Sequence, residues 1–323
     1  MKYVIVGTGI ISSTYVHAIA EIDGSEIVAC VSRSGNGLTA DPAIPTWPDL
    51  ESVPLEYDAV IIATPNGLHC DGIIAAANKG KHVITEKPLG INREQMDRAI
   101  SACDVAGVTL AVAYQRRTAP DNKAIKRLIE QGALGKVFAA DLAAKFYRDQ
   151  AYYELAPYRG GWAIDGGGPF MQQACHNIDL YTWFFGLPEQ VLSMMDTFSH
   201  EIETEDHGAA LLRHANGMIG TIIASTATKP GCAARLEVYT RKGSFTMTDD
   251  VISQWDIAGV PNPTDASFDY KHDGATSFAV SDHAAHLEII LDFEQAVETG
   301  NKPLVDPHSA RETTELICKI YEA

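Results

Sequence analysis

A glycine-rich turn near the start of the chain constrains the fold more than any other feature. The segment Gly7–Ser12 reads G-T-G-I-I-S, directly follows an apolar run at Tyr3–Val6, and opens a helix-like stretch. It matches the G-x-G-x-x-G/A pattern of dinucleotide-binding turns, with serine in the third glycine position. The first glycine permits the tight turn, the second lets the backbone approach a pyrophosphate, and the helix N-terminus adds amides and a positive dipole end. A tight glycine turn without a ligand is the alternative. We predict dinucleotide contacts at Gly7, Gly9, Ile10 and Ile11.

Short apolar runs alternate with helix-like stretches over the first third of the chain. The predicted strands are Tyr3–Val6, Ile27–Val31, Ala59–Ala63, His82–Thr85 and Val108–Ala113. The predicted helices are Ile10–Glu21, Gly67–Lys79 and Asn92–Ala106, the last with Asn92 as its N-cap. Nearly continuous apolar strands between helices are typical of a doubly wound parallel sheet covered on both faces. We therefore predict an α/β Rossmann domain over residues 1–118.

The pattern changes after residue 119, where strands follow one another with few helices between them. The predicted strands are Val137–Tyr147, Ala209–Arg213, Met218–Thr226, Arg235–Thr240 and Ser244–Thr248. The predicted helices are Ala124–Gln131, Pro169–Phe185, Asp282–Thr299 and His308–Tyr321, and the polar segment Gly259–Gly274 is predicted as a loop. Sequential strands of this kind favour a mostly antiparallel sheet with one covered face. Residues 119–323 are predicted to form a second, α+β domain.

The charge of the chain excludes some classes of partner. It has 25 Lys and Arg against 42 Asp and Glu, a formal net charge of −17. Such a chain lacks the positive field that attracts nucleic acid and would be repelled by an anionic membrane surface. The six cysteines are scattered without a C-x-x-C motif. We expect them to be reduced and the protein to be cytoplasmic.

The end of the second predicted strand indicates which dinucleotide is bound. An Asp or Glu at this place binds the ribose 2′-hydroxyl of NAD. Here the strand runs into Ser32, Arg33 and Ser34, which offer hydroxyls and a guanidinium and no acid to repel a 2′-phosphate. We therefore expect NADP to be preferred over NAD. Arg33 as a solvated charge, or stacked on adenine in an NAD enzyme, stays open as an alternative.

Three further motifs carry a family resemblance. Residues 60–69 read V-I-I-A-T-P-N-G-L-H, residues 80–89 read G-K-H-V-I-T-E-K-P-L, and Gly166–Gly168 is followed by His176-x-x-Asp179. With these motifs the chain resembles the glucose–fructose oxidoreductase/inositol dehydrogenase (Gfo/Idh/MocA) family over nearly its whole length. The resemblance implies a Rossmann domain and a second domain whose large open sheet often forms the oligomer interface, hence a homo-oligomer, dimer or tetramer. It also implies hydride transfer between nicotinamide and a secondary alcohol of a sugar, cyclitol or related polyol.

The resemblance also assigns roles to residues. It implies that Lys87, of the E-K-P motif, lies beside nicotinamide and substrate, that His176 shuttles the proton, and that Arg159 approaches cofactor or substrate. The side chains that it implies to line the cofactor are Thr64, Pro65, Asn66, His69, Glu86 and Gln115. One departure stands out: many members carry an aspartate four residues before the histidine, where this chain has Gln172. Glutamine can hydrogen-bond a hydroxyl but cannot take up a proton, so proton transfer falls on His176.

Residue chemistry supports a site on the predicted helix Pro169–Phe185. Gln172, His176 and Asp179 fall within roughly 60° of arc on a helix that is otherwise apolar, which favours a stripe facing a cleft. Asp179 could then orient the imidazole of His176 or pair with a cation, and Asp165 could bind a sugar hydroxyl. A structural role is the alternative for both acids. No metal site is predicted, because no ligand partner accompanies His283 and His286.

Two other functions are compatible with the same fold. Some relatives use tightly held NAD in transient redox steps to cleave a glycosidic bond. Others are non-catalytic dinucleotide sensors that bind partner proteins. The presence of both Lys87 and His176 argues against a sensor. Sugar release without net reduction of the cofactor would distinguish the glycosidase.

Overall fold

The structure is a computed structural model that describes residues 1–264 and 283–323. Of these, residues 1–115 and 283–311 form one unit, and residues 116–264 and 312–323 form a second. The predicted loop Gly259–Gly274 lies outside the described residues after position 264. Asp282, the predicted start of a helix, also lies outside them.

The first unit is built on a parallel sheet. Its strands are β1 Lys2–Val6, β2 Glu26–Val31, β3 Thr46–Trp47, β4 Ala59–Ile62, β5 His82–Thr85 and β6 Leu110–Val112. Its first helices are α1 Ile10–Ala20, α2 His69–Asn78 and α3 Arg93–Ala106. The strands pair in parallel in the order β3-β2-β1-β4-β5-β6. The predicted doubly wound parallel sheet is therefore confirmed.

Burial on both faces explains why these strands are almost continuously apolar. Every residue of β4 is buried, and one core cluster joins Ile5, Ile61 and Ile84 from three neighbouring strands.

The start of α3 is fixed by a side-chain cap. As predicted, the Asn92 side chain caps the first turn by accepting a hydrogen bond from the Gln95 amide at 3.0 Å.

The helix α7, Ala284–Thr299, packs on the first unit, although the sequence analysis placed it in the second domain. Its Ile290 and Phe293 are fully buried in the core cluster that contains Ile5 and Ile61. The apolar stripe of α7 therefore helps to cover the parallel sheet. A single boundary between residues 118 and 119 cannot describe a chain that returns to its first unit.

The second unit contains a sheet of seven strands. They are β7 Val137–Lys145, β8 Gln190–Asp196, β9 His207–Arg213, β10 Ile219–Ser225, β11 Arg235–Thr240, β12 Gly243–Thr248 and β13 Val251–Ile257. The helices of this unit are α4 Pro120–Glu130, α5 Gln150–Glu154, α6 Cys175–Phe185 and the part of α8 Pro307–Glu322 from residue 312 onward. The order is β13-β12-β11-β7-β10-β9-β8, antiparallel throughout except where β7 pairs with β10. The mostly antiparallel sheet is confirmed.

One face of this second sheet is covered and the other is open. Alternate residues of β9, such as Ala210 and Leu212, are buried. On the opposite face Leu192, Met194 and Leu211 are 67%, 85% and 48% exposed. The period-2 pattern that predicted a sheet with one covered face is thus seen in the structure.

The helix that carries His176 is shorter than predicted. It begins at Cys175 instead of Pro169. The residues before it form turns, closed by hydrogen bonds from the Met171 amide to the Gly168 carbonyl and from the Ala174 amide to the Pro169 carbonyl. Gln172 therefore precedes the helix, and the predicted three-residue stripe does not lie on one continuous helix face.

Candidate active site

The first glycine of the turn is fixed by close packing. Gly7 has a φ of 101°, and its amide donates to the Val31 carbonyl at 2.9 Å. A Cβ atom at this position would lie 2.4 Å from the carbonyl oxygen of Ala63, so that any side chain would collide with the end of β4. This packing brings the turn to the carboxyl ends of β1 and β4.

The second glycine leaves the start of α1 open. Gly9 is the N-cap of α1, no side chain caps this end, and a Cβ at Gly9 would meet no atom within 4 Å. Ser12, in the third glycine position, is buried, and its hydroxyl donates to the Gly9 carbonyl at 2.5 Å. The serine thus preserves the packing that glycine would allow. The amides of the first helical turn remain available to an anion.

The end of β2 divides into a buried and an exposed part. Ser32 is buried, with its hydroxyl 3.0 Å from that of Ser34 and accepting from Thr8 at 3.4 Å. Arg33 and Ser34 are exposed. The hydroxyl and guanidinium groups predicted to receive a 2′-phosphate therefore belong to an accessible loop next to the glycine turn.

His69 holds two of the motif loops together. Its Nδ1 lies 2.7 Å from the Pro88 carbonyl oxygen and its Nε2 lies 2.8 Å from that of Thr64. The ring is buried, and burial lowers the pKa of His69, so that it is neutral at pH 7. The ring is enclosed by protein and positions the loops that carry Thr64–Asn66 and Lys87, while its place in the cofactor lining stays a prediction. Thr64, Pro65 and Asn66 are themselves partly exposed.

Glu86 also faces inward, although it was predicted to line the cofactor. One oxygen of its carboxylate accepts from the Tyr15 hydroxyl at 2.8 Å and lies 3.4 Å from Nε2 of His286. Burial acts to raise the pKa of Glu86, but contacts with His286, Lys87 and Tyr15 outweigh it and bring the pKa below its ordinary value. Glu86 is thus an ionised anchor for the loop, and the next residue, Lys87, is partly exposed.

The second unit presents His176 in the first turn of α6. His176 is partly exposed, whereas Cys175 and Asn177 on either side are buried. Nearby, Gln172 Nε2 donates to the Asp165 carbonyl oxygen at 3.0 Å. The Asp165 carboxylate is buried and accepts from the Gly160 amide at 2.9 Å. Asp165 therefore shapes the chain around Gly160, and its role as a ligand for a sugar hydroxyl stays a prediction.

Asp179 does not share the exposure of His176. Both oxygens of its carboxylate accept from Arg117, at 2.8 and 2.6 Å, and a further hydrogen bond comes from the Thr313 hydroxyl at 2.8 Å. The side chains of Arg117 and Asp179 are 0% exposed. Of the two arrangements expected for Asp179, the structure shows pairing with a cation: its charge is taken up by a bidentate ion pair with Arg117 inside the second unit.

The glycine run before α6 is packed against an acid that the sequence analysis missed. Glu205 is buried and accepts hydrogen bonds from the amides of Gly168 and Phe170 and from the Tyr321 hydroxyl. A Cβ at Gly168 would lie 1.9 Å from the Glu205 carbonyl oxygen, so the run is needed for close approach. Burial raises the pKa of Glu205 to about 7. Glu205 and Tyr321 are far from the run in sequence, and no local pattern indicated them.

Comparison with family profiles decides the identity of the two units. Residues 1–114 match the family described as "Oxidoreductase family, NAD-binding Rossmann fold", and residues 122–246 match the "GFO/IDH/MocA C-terminal domain". The chain belongs to the Gfo/Idh/MocA oxidoreductase family. It is accordingly an NAD(P)-dependent oxidoreductase that acts on a CH–OH group.

Gfo/Idh/MocA proteins of known activity resemble the chain over most of its length. The scyllo-inositol 2-dehydrogenase (NAD(+)) of Bacillus subtilis is 28% identical over 90% of this chain and 85% of its own length. The D-xylose 1-dehydrogenase (NADP(+)) 2 of Haloferax volcanii is 26% identical over 100% of this chain and 97% of its own. Among solved structures, the WlbA dehydrogenase from Bordetella pertussis in complex with NADH and UDP-GlcNAcA gives a TM-score of 0.85 at 28% identity, covering 99% and 95% of the two chains.

The first unit fits the dinucleotide of the Gfo/Idh/MocA family. The open space at Gly9 and the uncapped start of α1 form a cradle that a side chain at position 9 would fill.

Within residues 1–264 and 283–323, no cluster of His, Cys, Asp or Glu is arranged to hold a metal ion. In the same residues, no helix is both long enough and apolar enough to cross a bilayer.

Proposed function

We propose that this chain transfers hydride between the nicotinamide of NADP(H) and a secondary alcohol or ketone of a sugar, cyclitol or related polyol. The arrangement of three motif segments along one edge of the first sheet carries the proposal. Gly7 follows β1, Thr64 follows β4 and Lys87 follows β5, and these strands are neighbours. Ligands of open parallel sheets bind at the carboxyl ends of the strands. The glycine cradle and a partly exposed lysine therefore share the edge where a dinucleotide belongs.

The proposed chemistry divides between two side chains. When bound, the nicotinamide supplies the acceptor or donor of the hydride. The ammonium group of Lys87 stabilises negative charge that develops on the substrate oxygen. An imidazole nitrogen of His176 takes the hydroxyl proton during oxidation and returns it during reduction, a role suited to histidine because its ordinary pKa is about 6.5.

The remaining residues of the proposed site bind rather than react. Thr64, Pro65, Asn66 and Gln115 are partly exposed and are proposed to line the cofactor. Gln172 is proposed to hydrogen-bond a substrate hydroxyl. Residues 1–118 would hold the dinucleotide, and residues 119–323 apart from α7 would bind substrate and mediate assembly.

The preference for NADP rests on the loop after β2. Arg33 and Ser34 are exposed there, and the sequence carries no acid at Ser32–Ser34. A guanidinium and a hydroxyl can bind a 2′-phosphate, whereas an aspartate would repel it. One relative is named as an NAD(+) enzyme and another as an NADP(+) enzyme, so the relatives do not indicate which dinucleotide this chain prefers. The proposed preference for NADP therefore depends on the residues of this loop.

We propose further that the open face of the second sheet joins copies of this chain into a homo-oligomer, a dimer or tetramer. Leu192 on β8 pairs with Leu211 on β9, and Met194 pairs with Ala209 beside them. Their exposed side chains form a contiguous apolar strip. Apolar surface of this kind marks an interaction site in a soluble protein.

The six cysteines are all free thiols, which supports the proposal of a reducing, cytoplasmic compartment.

Replacement of Lys87 by alanine tests the proposed chemistry. We expect Lys87→Ala to lower kcat/KM by about a hundredfold or more, because the charge on the oxygen loses its main stabilising group. The variant should remain folded, with a small loss of stability because Lys87 helps to keep the buried Glu86 ionised. Lys81→Ala is the matched control, because Lys81 lies on the same unit and donates to the Tyr57 carbonyl. Near-normal turnover of Lys87→Ala would contradict the proposal.

A further inference from the structure

Two arginines flank one tyrosine ring in the second unit. The guanidinium carbon of Arg159 lies 4.4 Å from the ring centroid of Tyr152, and that of Arg148 lies 5.6 Å from it. Arg148 is buried and donates from Nη1 to the Tyr147 carbonyl oxygen at 2.6 Å. Arg159 is partly exposed. Two positive charges therefore converge on the same small area.

Arg159 has no acid to balance its charge in the part of the chain that the structure describes. No carboxylate of residues 1–264 or 283–323 forms an ion pair with it. Its Nε is buried without a hydrogen-bond acceptor in those ranges. Burial lowers the pKa of Arg148, and the positive charge of Arg159 lowers it further. In a chain with 42 acidic residues against 25 basic ones, an unbalanced arginine beside a buried one is a costly arrangement.

The two arginines are connected to the segment that carries His176. Tyr152, whose ring contacts both guanidinium groups, accepts a hydrogen bond on its hydroxyl from Gln173 Nε2 at 3.1 Å. Gln173 lies three residues before His176. On the other side, the residue after Arg159 donates its amide to Asp165, whose carbonyl accepts from Gln172. Two short hydrogen-bonded paths within one unit thus join the arginines to the turn that leads into His176.

We propose that Arg159, with Arg148 behind it, binds an oxyanion group of the substrate, so that the physiological substrate is an acidic sugar derivative bearing a carboxylate or a phosphate. The proposal rests on the proposed function, because it concerns the substrate whose alcohol reacts at His176. A planar guanidinium offers parallel N–H donors that match the two oxygens of either group. An anion on Arg159 satisfies its buried Nε and relieves the repulsion between the two cations. A hydroxyl of a neutral polyol can accept from Nε, but it does not relieve the repulsion between the two cations.

A purely structural role predicts a different result. Stacking of Arg159 on Tyr152 contributes to the stability of the second unit. If stacking were its whole function, removal of Arg159 would lower the free energy of unfolding and leave the choice between charged and neutral substrates unchanged. Discrimination between substrates is therefore the decisive readout.

The experiment compares matched substrates in four forms of the full-length protein: wild type, Arg159→Ala, Arg159→Lys and Arg127→Ala. The substrates are D-glucose, D-glucuronate and D-glucose 6-phosphate, together with D-galactose and D-galacturonate, and nicotinamide absorbance is followed. Arg127, on the exposed face of α4, is the matched control for loss of one positive charge. Binding of D-glucuronate and D-glucose 6-phosphate is measured in parallel by calorimetry, and NADPH binding by fluorescence.

We expect wild type to favour an acidic sugar over its neutral partner. Arg159→Ala should lose about tenfold to a hundredfold in kcat/KM for the acidic sugar, mainly through KM, and less than about twofold for the neutral one. Arg159→Lys should keep part of the affinity for the acidic sugar, because lysine keeps the positive charge but lacks the parallel N–H donors of a guanidinium group. Arg127→Ala should behave as wild type, and NADPH binding should be unchanged. The carboxylate and phosphate arms show which oxyanion is used.

Several results would overturn the inference. They are a wild-type preference for neutral sugars, equal losses of Arg159→Ala on acidic and neutral sugars, or weaker NADPH binding with unchanged substrate discrimination. If no sugar changes the nicotinamide absorbance, the proposed function fails. Calorimetry still decides the inference in that case, because acidic sugars must bind wild type and not Arg159→Ala.

Discussion

Adjacent residues of the E-K-P motif have different environments. Glu86 is buried against Tyr15 and His286, whereas Lys87 is partly exposed at the edge of the sheet. The buried carboxylate fixes the backbone from which the lysine projects. A short motif thus combines a buried anchor with an accessible lysine, and Nδ1 of His69 lies against the carbonyl oxygen of the following residue, Pro88.

Arg33 tests the choice of dinucleotide at a single side chain. Arg33→Ala should weaken binding of NADP by about tenfold or more, because one charge-assisted contact to the 2′-phosphate is lost. Binding of NAD, which has no such phosphate, should change by less than about twofold. Fluorescence titration with NADPH and NADH measures both. Equal losses for the two cofactors would count against the assignment.

The contacts of single residues explain which roles the sequence could reveal. Gly7, Gly9 and Lys87 lie in local motifs, so their proposed roles could be predicted from residue spacing. The partners of Glu86 and Asp179 could not be found in this way, because Tyr15 and Arg117 are 71 and 62 residues away along the chain. Only the folded chain shows that these two acids are engaged with protein partners.

At the scale of elements, strands with a strong apolar pattern could be predicted and strands defined by their neighbours could not. The bounds of β5 and β11 were predicted as observed. β8 and β13 were missed, because Gln190–Asp196 and Val251–Ile257 mix polar and apolar residues without a clear strand pattern, and their conformation depends on pairing with β9 and β12. The short α6 reflects the glycine run before it, which packs on Glu205.

The contact between Glu205 and the glycine run predicts a dependence of stability on pH. Burial raises the pKa of Glu205 from 4.5 to about 7. Between these values the unfolded chain ionises while the folded protein keeps its proton, so the free energy of unfolding falls as pH rises. This group should contribute a fall of about 3 kcal/mol between pH 4.5 and 7.

Denaturant unfolding across this pH range measures the effect. Glu205→Gln should lack the fall, and Glu189→Gln, at an exposed carboxylate of the same unit, should keep the wild-type profile. Parallel profiles for wild type and Glu205→Gln would show that the buried acid does not titrate in this range.

At the scale of the whole molecule, the open sheet face predicts assembly. Leu211→Lys places a charge in the centre of the strip formed with Leu192 and Met194, and burial of that charge in an interface would be costly. We expect wild type to elute as a dimer or tetramer and Leu211→Lys to shift toward the monomer in light scattering. Ser253→Lys, at an exposed position on the edge strand β13, is the control. An unchanged mass for Leu211→Lys, or a monomeric wild type, would contradict the proposed interface.

For the whole molecule, we propose that one unit holds a dinucleotide and the other supplies the proton-transfer group for an alcohol. Nicotinamide absorbance tests it most directly, recorded with NADP and with NAD over a panel of neutral and acidic sugars and cyclitols. The account predicts stoichiometric reduction of the cofactor with at least one sugar or cyclitol, faster with NADP. Sugar release without an absorbance change, or cofactor binding without turnover on any member of the panel, would contradict it.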